Sequence, residues 1–413
     1  MAPITKITGF QDLIDKQAQA YTHMEDKARH VFTRYGFQEL RIPVLERTEL
    51  FARGIGQDTD VVQKEMYSFQ DRKGRSLTLR PEATAGVVRA YIENKLYSRE
   101  AVSKLFTIGP MFRYERPQKG RSRQFHQVNA ELLGSSAPQA DAEILLMLWS
   151  YLKELQLPGL NLELNSLGCR ECRAEYSQTL GAFLQDTNPE ELCQDCRTRM
   201  HNNPLRLFDC KQQGCARVLE QAPLIGDHLC SGCQEHYQEL QNILKQVGVP
   251  FIQNKNLVRG LDYYQRTAFE VTSQGIGAQA SVAGGGRYDS LVKDLGGPDI
   301  PGIGFACGLE RLALLLPEQK SPLPDFYLAV LDENALSLGQ ELAQALRSQG
   351  LSGEVSLKAK SLKSQLRNAH KLQAQKCLIL GSEELQEQTL QIKDMQSGKQ
   401  IKVALHQPEK AFF

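Results

Sequence analysis

The sequence predicts an α+β domain built on an antiparallel sheet, with a helical, cysteine-rich insertion and a small C-terminal α/β domain with a mixed sheet. Three observations support this fold class. Strand patterns follow one another between residues 37 and 132, eight of the ten cysteines fall between residues 169 and 233, and strands alternate with helices after residue 324. Strands adjacent in sequence tend to pair antiparallel, whereas alternation with helices favours parallel pairing.

Composition places the chain among ordinary globular proteins. Its 413 residues correspond to two or three domains at about 150 residues each. Lys plus Arg total 49 against 48 for Asp plus Glu, which excludes a polybasic, histone-like protein. No apolar run reaches the roughly 20 residues of a membrane span, and no secretory leader is visible. We therefore expect a cytoplasmic protein without a membrane partner, whose cysteines are reduced or metal-bound.

The first predicted domain covers residues 1–323 and is interrupted by the insertion. Residues 12–35 lack Gly and Pro and predict a helix that ends at Gly36, and residues 82–95 predict another. Strands are predicted at 37–45, 66–69, 76–80, 106–115 and 124–132. Pro43 cannot donate a ladder hydrogen bond, so it favours an edge strand or an interface. Strand-rich, Gly-rich sequence returns at residues 256–316.

Two further regions follow from composition and alternation. Residues 169–250 predict a mostly helical, Cys-rich insertion. The polar, Pro-containing stretch 317–325 predicts a linker. Residues 324–413 then predict a small α/β domain with strands at 326–331, 354–357 and 377–380, helices near 335–348 and 362–369, and a hairpin across 397–399.

The eight clustered cysteines form four closely spaced pairs, which is typical of metal-binding thiols. The first four read C-x2-C-x20-C-x2-C and the last four form a second set: Cys169, Cys172, Cys193, Cys196, Cys210, Cys215, Cys230 and Cys233. This pattern predicts structural zinc, which would stabilise an insertion too small to rely on its own core. The alternative is eight reduced thiols packed as small apolar groups. The sequence does not decide which pairs combine.

Arginines beside glutamates and aromatic residues are the candidate catalytic groups. Arg113 lies in Phe-Arg-Tyr-Glu-Arg-Pro at 112–117, Arg259 in Leu-Val-Arg-Gly-Leu-Asp-Tyr-Tyr at 257–264, and Arg311 in Gly-Leu-Glu-Arg-Leu at 308–312. A guanidinium binds phosphate oxygens in bidentate geometry and keeps its charge. Three of them near one sheet favour phosphoryl or nucleotidyl transfer, although each alone could be a surface ion pair. P-loop, Rossmann, serine-hydrolase and zincin signatures are absent from the sequence.

These segments resemble the motifs of class II aminoacyl-tRNA synthetases. Residues 112–127 resemble motif 2, residues 302–312 motif 3, and residues 37–44 the dimer-interface motif 1. Residues 257–264 and 285–291, the latter Gly-Gly-Arg-Tyr-Asp-Ser-Leu, resemble two motifs specific to histidyl-tRNA synthetases, and the last domain resembles that family's anticodon-binding domain. Ala83 and Ser122 depart from the family pattern, in which glycine and an aromatic residue are common.

The resemblance implies a class II synthetase fold and a homodimeric histidine–tRNA ligase. Its substrates would be L-histidine, ATP with Mg²⁺, and tRNA(His). Arg113 would bind the α-phosphate of ATP and Arg311 the γ-phosphate side, while Phe125 would stack on adenine. Arg259 would balance the charge that develops on the α-phosphate when the histidine carboxylate attacks it.

The resemblance also implies a histidine site and tRNA contacts. Carboxylates would bind the ammonium of histidine and phenols its imidazole, in a site comprising Glu82, Ala83, Thr84, Arg113, Gln127, Glu131, Arg259, Tyr263, Tyr264 and Tyr288. Arg116 and Gln118 would contact the tRNA acceptor end. The anticodon stem would meet a basic set in the last domain: Lys358, Lys360, Lys363 and Arg367.

Two other functions remain open at this point. A non-catalytic relative, the regulatory subunit of ATP phosphoribosyltransferase, shares the catalytic fold but usually lacks the C-terminal domain. A zinc-ribbon nucleic-acid-binding module would explain the cysteines but not the rest of the chain. The retained C-terminal domain and the three arginines favour the enzyme.

Overall fold

The computed structural model describes residues 2–56, 59–275, 281–318 and 323–412. The chain divides into two compact units, residues 1–319 and 320–413. No helix in the described ranges is long and apolar enough to cross a membrane.

Two antiparallel-rich sheets form the framework of the first unit. Its strands are β1 (Gln38–Glu39), β2 (Leu45–Arg47), β3 (Tyr67–Gln70), β4 (Ser76–Leu79), β5 (Ser103–Phe112), β6 (Gln124–Leu133), β7 (Leu160–Ser166), β8 (Ile252–Gln253), β9 (Gln265–Ser273), β10 (Ser281–Arg287) and β11 (Gly302–Gly308). Over the described residues, the large sheet has the order β1-β5-β6-β11-β10-β9-β7-β8 and the small one β2-β4-β3. The two edge strands of the large sheet pair parallel and the rest antiparallel, which confirms the predicted antiparallel sheet.

The predicted strand at 37–45 is wrong as a single element. Its first residues form the edge strand β1 of the large sheet, and its end begins β2 of the small sheet. Pro43 lies between them, where it interrupts neither ladder. A residue without an amide hydrogen fits at such a change of sheet, because no backbone donor is lost there.

The helices of the first unit cover the large sheet and form the insertion. They are α1 (Asp15–Arg34), α2 (Thr48–Ile55), α3 (Thr84–Glu93), α4 (Pro138–Glu154), α5 (Arg170–Gln185), α6 (Gln194–Asn202), α7 (Gln213–Leu219), α8 (Ser231–Val247), α9 (Leu291–Asp294) and α10 (Leu309–Ala313). Helix α1 begins three residues later than predicted and ends just before Gly36, whose φ of +78° suits a glycine stop. Helix α3 also begins later than predicted, so Glu82 precedes it.

One face of the large sheet packs against α1, α4 and α8. Phe32 from α1, Leu148 from α4 and Leu240 from α8 share a buried core with sheet residues such as Phe305. The insertion is mostly helical, as predicted. Its last helix, α8, contributes side chains to the main core. On the opposite face of the sheet lies a second buried cluster, which contains several aromatic side chains and surrounds the candidate site.

A buried ion pair fastens α4 to the sheet. Asp141 on α4 accepts hydrogen bonds from Arg287 Nε (3.0 Å), His236 Nε2 (2.8 Å) and Thr267 Oγ1 (2.5 Å), and the side chains of Asp141 and Arg287 are both fully buried. Burial alone would raise the pKa of Asp141, but the hydrogen bond from His236 and the charge of Arg287 lower it. This fixes the end of β10 directly before Tyr288.

The second unit has the predicted mixed sheet. Its strands are β12 (Phe326–Val330), β13 (Gly353–Val355), β14 (Lys376–Leu380), β15 (Thr389–Asp394) and β16 (Gln400–Ala404), and its helices are α11 (Leu336–Ser348), α12 (Leu362–Lys371) and α13 (Ser382–Glu387). Strand β12 pairs parallel with β13 and β14, whereas β15 and β16 pair antiparallel. The sequence analysis missed α13, which is only six residues long.

Candidate functional site

A polar pocket lies on the sheet face opposite α1 and α4. Strand alternation along β6 creates it, because successive side chains point to opposite faces. Val128, Ala130 and Leu132 enter the helix-covered core, while Phe125 and Gln127 line the pocket. The loop 254–264 and the Gly-rich strands β10 and β11 complete its walls.

Two buried carboxyl groups lie at one end of this pocket. Glu131 accepts a hydrogen bond from Thr84 Oγ1 (2.7 Å) and another from the Tyr288 hydroxyl, and burial raises its pKa to about 8. Glu82 accepts the backbone N–H groups of Thr84 (2.7 Å) and Ala85 (2.9 Å) at the start of α3. Burial raises the pKa of Glu82 as well, and these N–H bonds oppose the rise. Glu82 therefore acts as a cap of α3, where the helix dipole favours a negative charge.

Glycine in β11 makes room for the buried carboxyl group. A Cβ atom on Gly304 would lie 1.7 Å from Glu131 Oε2 and 2.5 Å from the carbonyl oxygen of Ala130. Glu131 and Tyr288 do not line the pocket themselves; they lie next to it, where Glu131 is bonded to the lining residue Thr84.

Arginines line the pocket from Glu82, which Arg113 adjoins, towards its other end. Arg113 Nε donates to the carbonyl of Pro81 (2.9 Å), and its guanidinium lies 5.4 Å from the ring centre of Phe125. Arg311 Nη1 donates to the carbonyl of Ser281 (2.6 Å). Burial lowers the pKa of Arg311, and the nearby charges of Arg121 and Arg113 lower it further. Such mutual repulsion is relieved when an anion such as a phosphate group binds among the arginines.

Arg259 enters the same pocket from the loop 254–264. Its Nη1 lies 3.5 Å from Glu270 Oε1, and its guanidinium is 5.7 Å from the ring centre of Tyr264. Gly284 on β10 permits this position, because a Cβ atom there would lie 2.5 Å from both Nη1 and Nη2 of Arg259. Within the described residues, Arg259 Nε and Gln127 Oε1 are buried without a hydrogen-bond partner. Groups of this kind are expected to bind ligand or water.

The structure brings most of the predicted site residues together. The pocket is lined by Glu82, Thr84, Arg113, Phe125, Gln127, Arg259, Tyr263, Tyr264 and Arg311. Ala83 is fully buried before α3, and the rings of Tyr263 and Tyr264 contact each other at a tilt of 50°, with centroids 4.6 Å apart. Arg116 and Gln118 do not line the pocket and are exposed on the loop between β5 and β6.

The sequence analysis missed several charged residues of the pocket. Glu115 pairs with Arg121 Nε at 2.8 Å and lies 3.9 Å from Arg113 Nη1. Glu310 accepts the backbone N–H of His126 through both carboxylate oxygens, at 2.9 and 3.0 Å. Both glutamates stand inside the quoted motifs, two residues after Arg113 and one before Arg311. Their positions next to Arg113 and Arg311 in the sequence could have identified them as pocket residues.

The eight insertion cysteines form two groups, which answers the question of pairing that the sequence left open. Cys169 and Cys172 combine with Cys230 and Cys233 in an outer cluster, while Cys193 and Cys196 combine with Cys210 and Cys215 in an inner cluster. The chain folds back after Cys196, and the start of α8 places Cys230 next to the start of α5. In sequence, the inner cluster therefore lies between the two halves of the outer cluster.

Each cluster has the chemistry of a four-thiolate metal site. The Sγ atoms within a cluster all lie within 4.8 Å of one another, with Cys169–Cys230 at 3.9 Å and Cys193–Cys210 at 3.8 Å. Tetrahedral Zn²⁺ with bonds of about 2.3 Å would hold sulfur atoms ~3.8 Å apart. Backbone N–H groups donate to Cys172 Sγ (3.1 Å) and Cys215 Sγ (3.2 Å), which favours thiolates.

Sequence comparison matches two families to the two units. Residues 9–312 match the family model of histidyl-tRNA synthetase, and residues 325–412 match that of an anticodon binding domain. A protein of Oleidesulfovibrio alaskensis named histidine–tRNA ligase is 58% identical over 409 residues, which is 98% of both chains.

Comparison with solved structures gives a consistent result. The crystal structure of apo histidyl-tRNA synthetase from S. aureus superposes with a TM-score of 0.82 and 33% identity, over all of both chains. A Bacillus halodurans structure titled as an ATP phosphoribosyltransferase regulatory subunit/histidyl-tRNA synthetase has a TM-score of 0.67 at 18% identity, covering 92% of this chain and 100% of that one. The second likeness shows the shared fold alone.

The close approach at Gly304 generates a stability prediction. We expect Gly304→Ala to lower the free energy of unfolding by about 1–3 kcal/mol or more, because its Cβ would overlap Glu131 and the Ala130 carbonyl. Gly308→Ala, four residues along the same strand, is the matched control, since a Cβ there meets nothing within 4 Å. Urea unfolding measures both, and equal stability of the two variants would contradict the packing described.

Proposed function

This chain belongs to the histidyl-tRNA synthetase family, and we propose that its pocket makes histidyl-adenylate from L-histidine and ATP and then charges tRNA(His). The activity is that of an ATP-dependent aminoacyl-tRNA synthetase, a histidine–tRNA ligase. One observation carries the residue-level assignment. A single pocket joins Glu82, with Glu131 buried next to it, to a cluster of arginines.

The arginine end is suited to bind ATP. Arg113 and Arg311 would hold the α-phosphate and the γ-phosphate side, and adenine would stack on Phe125. ATP enters with Mg²⁺ as its substrate complex. A carboxylate oxygen of histidine attacks the α-phosphorus, the bond to the bridging oxygen breaks, and pyrophosphate leaves. Arg259 then stabilises the added negative charge on the α-phosphate oxygens.

The carboxyl end is suited to bind histidine. Glu82 and Gln127 Oε1 offer acceptors to the ammonium group, beside Thr84. Glu131 lies with Tyr288 behind Gly304, where its carboxylate and the phenols of Tyr264 and Tyr288 would meet the imidazole. Ala83 and Tyr263 close the site by packing. A site of this kind rejects apolar amino acids strongly, by ~10⁴-fold or more, because its buried polar groups would be left unpaired.

The second unit and the β5–β6 loop would bind tRNA. After adenylation, a terminal ribose hydroxyl of tRNA attacks the histidyl carbonyl, and AMP leaves. Arg116 and Gln118 are exposed on the loop between β5 and β6, where they can meet the acceptor end. In the second unit, which matches an anticodon binding domain, a row of cations is exposed at Lys358, Lys360, Lys363 and Arg367. Such contacts would position the tRNA backbone.

We also propose a cytoplasmic homodimer. The segment around Pro43 and the exposed apolar side chains of Val44, Leu45 and Phe69 support a contact with a second copy. All ten cysteines are free thiols, which suits a reducing compartment. The regulatory-subunit alternative is disfavoured, because the histidine–tRNA ligase and the apo synthetase structure described above match over 98% or more of the chain. A zinc-ribbon binding module is excluded as the whole function by the family match over residues 9–312.

Structural zinc is proposed for both cysteine clusters. Cys169, Cys193 and Cys230 are the N-cap residues of α5, α6 and α8, so the helix dipoles favour thiolate charge there. Zn²⁺ would supply cross-links within the insertion, with all four positions of each site taken by sulfur. Neither cluster would then take part directly in the chemistry.

The activation chemistry predicts amino-acid-specific exchange. Wild-type protein should catalyse ATP–pyrophosphate exchange with histidine but not with the other nineteen amino acids, in the absence of tRNA. Arg259→Ala should lower the single-turnover rate of adenylate formation by about 10²-fold or more, since it removes transition-state charge stabilisation. Circular dichroism controls for folding.

Two outcomes of this assay would contradict the proposal. An unchanged adenylation rate in folded Arg259→Ala would remove the assigned role of that arginine. No exchange with histidine from folded wild-type protein would overturn the ligase, and binding to an ATP phosphoribosyltransferase would then be tested.

Metal analysis tests the zinc sites. Freshly purified, reduced protein should contain two zinc ions per chain, and a chelator should lower its melting temperature. Cys193→Ser/Cys210→Ser should lose one ion and Cys169→Ser/Cys230→Ser the other, whereas Cys377→Ala, outside both clusters, should keep two. Zinc-free wild-type protein with an unchanged melting temperature would rule the metal sites out.

A further inference from the structure

The loop 254–264 carries four pocket residues, yet none of its residues lies in a helix or strand. Side chains of the insertion hold much of this loop. We propose that Arg173, Asn203 and Arg206 of the insertion are positioning residues that hold Arg259 in place for adenylate formation. The inference rests on the proposed function of Arg259 and extends it to residues that lie outside the lining of its pocket.

Arg173 fixes the end of the loop. It follows Cys172 directly in α5, and its Nη1 donates to the backbone carbonyl oxygens of Tyr264 (3.0 Å) and Asp262 (3.4 Å). The guanidinium is largely buried, and burial lowers its pKa. A buried guanidinium needs such acceptors, so moving the loop would leave it unpaired. The outer cluster is thereby linked to the backbone of Tyr264.

Asn203 fixes the middle of the loop. Its Nδ2 donates to Asp262 Oδ1 at 2.6 Å, while the backbone N–H of Asp262 donates to the carbonyl of Ile55 (3.2 Å) at the end of α2. Asp262 thus joins the insertion to α2, three residues after Arg259. The position of Asn203 is itself set, because its backbone N–H donates to the carbonyl of Arg199 (2.8 Å).

Arg206 packs against the residue next to Arg259. Its Nη2 is 3.8 Å from where a Cβ on Gly260 would lie, so the guanidinium rests against the loop backbone. Its Nη1 pairs with Asp60 Oδ2 at 3.0 Å, and its Nε lies 3.6 Å from Asp209 Oδ2. The Asp209 carboxylate also acts electrostatically on Arg259. Arg259 therefore has a fixed negative charge on the insertion side.

Apolar packing supports the same contact. Leu205 and Phe208, from the 3-10 turn Pro204–Asp209, pack against the cluster of Val258, Tyr263 and Tyr264. The same two side chains also pack against the core of the insertion itself. Since they belong to both hydrophobic clusters, a shift of the turn must disturb the loop that carries Arg259.

The inner cysteine cluster fastens both ends of this turn. Cys193 and Cys196 hold the start of α6, which ends one residue before Asn203, and Cys210 directly follows Asp209. The segment between these thiols is only thirteen residues long and carries both Asn203 and Arg206. The cluster therefore acts on the pocket through these residues and not by touching substrate.

A charge substitution at Asn203 tests the inference. Asn203→Asp keeps the side-chain shape but places a carboxylate against Asp262. We expect kcat for histidine-dependent exchange to fall by up to about 10²-fold, with a much smaller change in the KM for histidine, because Arg259 is misplaced. Hydrogen exchange should be faster in peptides that cover residues 254–264. Asn202→Asp, on the exposed neighbouring residue, is the matched control and should change neither.

Recovery of kcat by a second substitution distinguishes a positioning role of Asn203 from a general loss of structure. Asn203→Asp combined with Asp262→Asn restores a donor and an acceptor in swapped places, and should recover most of the lost kcat. In a second comparison, Arg206→Met should lower kcat and Arg206→Lys should retain part of it. Arg197→Met is the control for that pair, because the Arg197 guanidinium donates to the carbonyls of Leu192 (3.0 Å) and Glu190 (3.3 Å), both inside the insertion.

The results distinguish failure of this inference from failure of the proposed function. Equal kcat and equal loop exchange in Asn203→Asp and Asn202→Asp would overturn the positioning role, and so would a double variant no better than the single one. If wild-type protein shows no histidine-dependent exchange, the proposed function fails instead. The hydrogen-exchange comparison then still decides whether the insertion holds the loop.

Discussion

Burial of Glu131 beside Glu82 is the constraint on which the rest of the site depends. An ionised carboxylate away from water is costly, and two near each other are worse. The fold responds with Thr84 and Tyr288 as donors to Glu131, with the start of α3 as a cap for Glu82, and with glycine at position 304, where any side chain would collide with Glu131. These arrangements reduce the cost without removing it, since the pKa of Glu131 stays at about 8. A ligand that brings a cation or polar N–H groups supplies what is missing.

At the opposite end of the pocket, it is positive charges that lie close together. Arg121 and Arg113 lie close enough to Arg311 to repel it, and Glu115 pairs directly with Arg121. A ligand that is cationic at one end and polyanionic at the other therefore satisfies both ends at once. Histidine and ATP, bound side by side, have this polarity. Their reacting groups would meet between the two ends, where Arg259 enters above Gly284.

The sequence was sufficient for local elements and for motif residues, but not for long-range partners. Gly36 as a helix stop and the strand patterns at 66–69, 76–80 and 124–132 are local signals, and each predicted its element. Residues 37–45 divide between two sheets because the two ends of the segment pair with different strands. Those partner strands lie elsewhere in the sequence, so nothing within the segment indicates the division. The nesting of the cysteine clusters was hidden for the same reason, because α8 brings Cys230 back to Cys169 across sixty residues. Glu82 was predicted to lie within a helix. Its carboxylate instead accepts the backbone N–H groups of Thr84 and Ala85, so Glu82 caps α3 from outside the helix.

Proton release on histidine binding tests the central claim most directly. Calorimetric titration of L-histidine at pH 7, in two buffers of different ionisation enthalpy, gives the number of protons released by wild-type protein and by Glu131→Gln. Because the pKa of Glu131 is about 8 in the free protein, its carboxyl group is mostly protonated at pH 7 and must ionise to accept an N–H of histidine. The account predicts that wild type releases up to about one proton more than the variant, and that the difference fades as the pH rises through 8. Equal proton release by both proteins would contradict it.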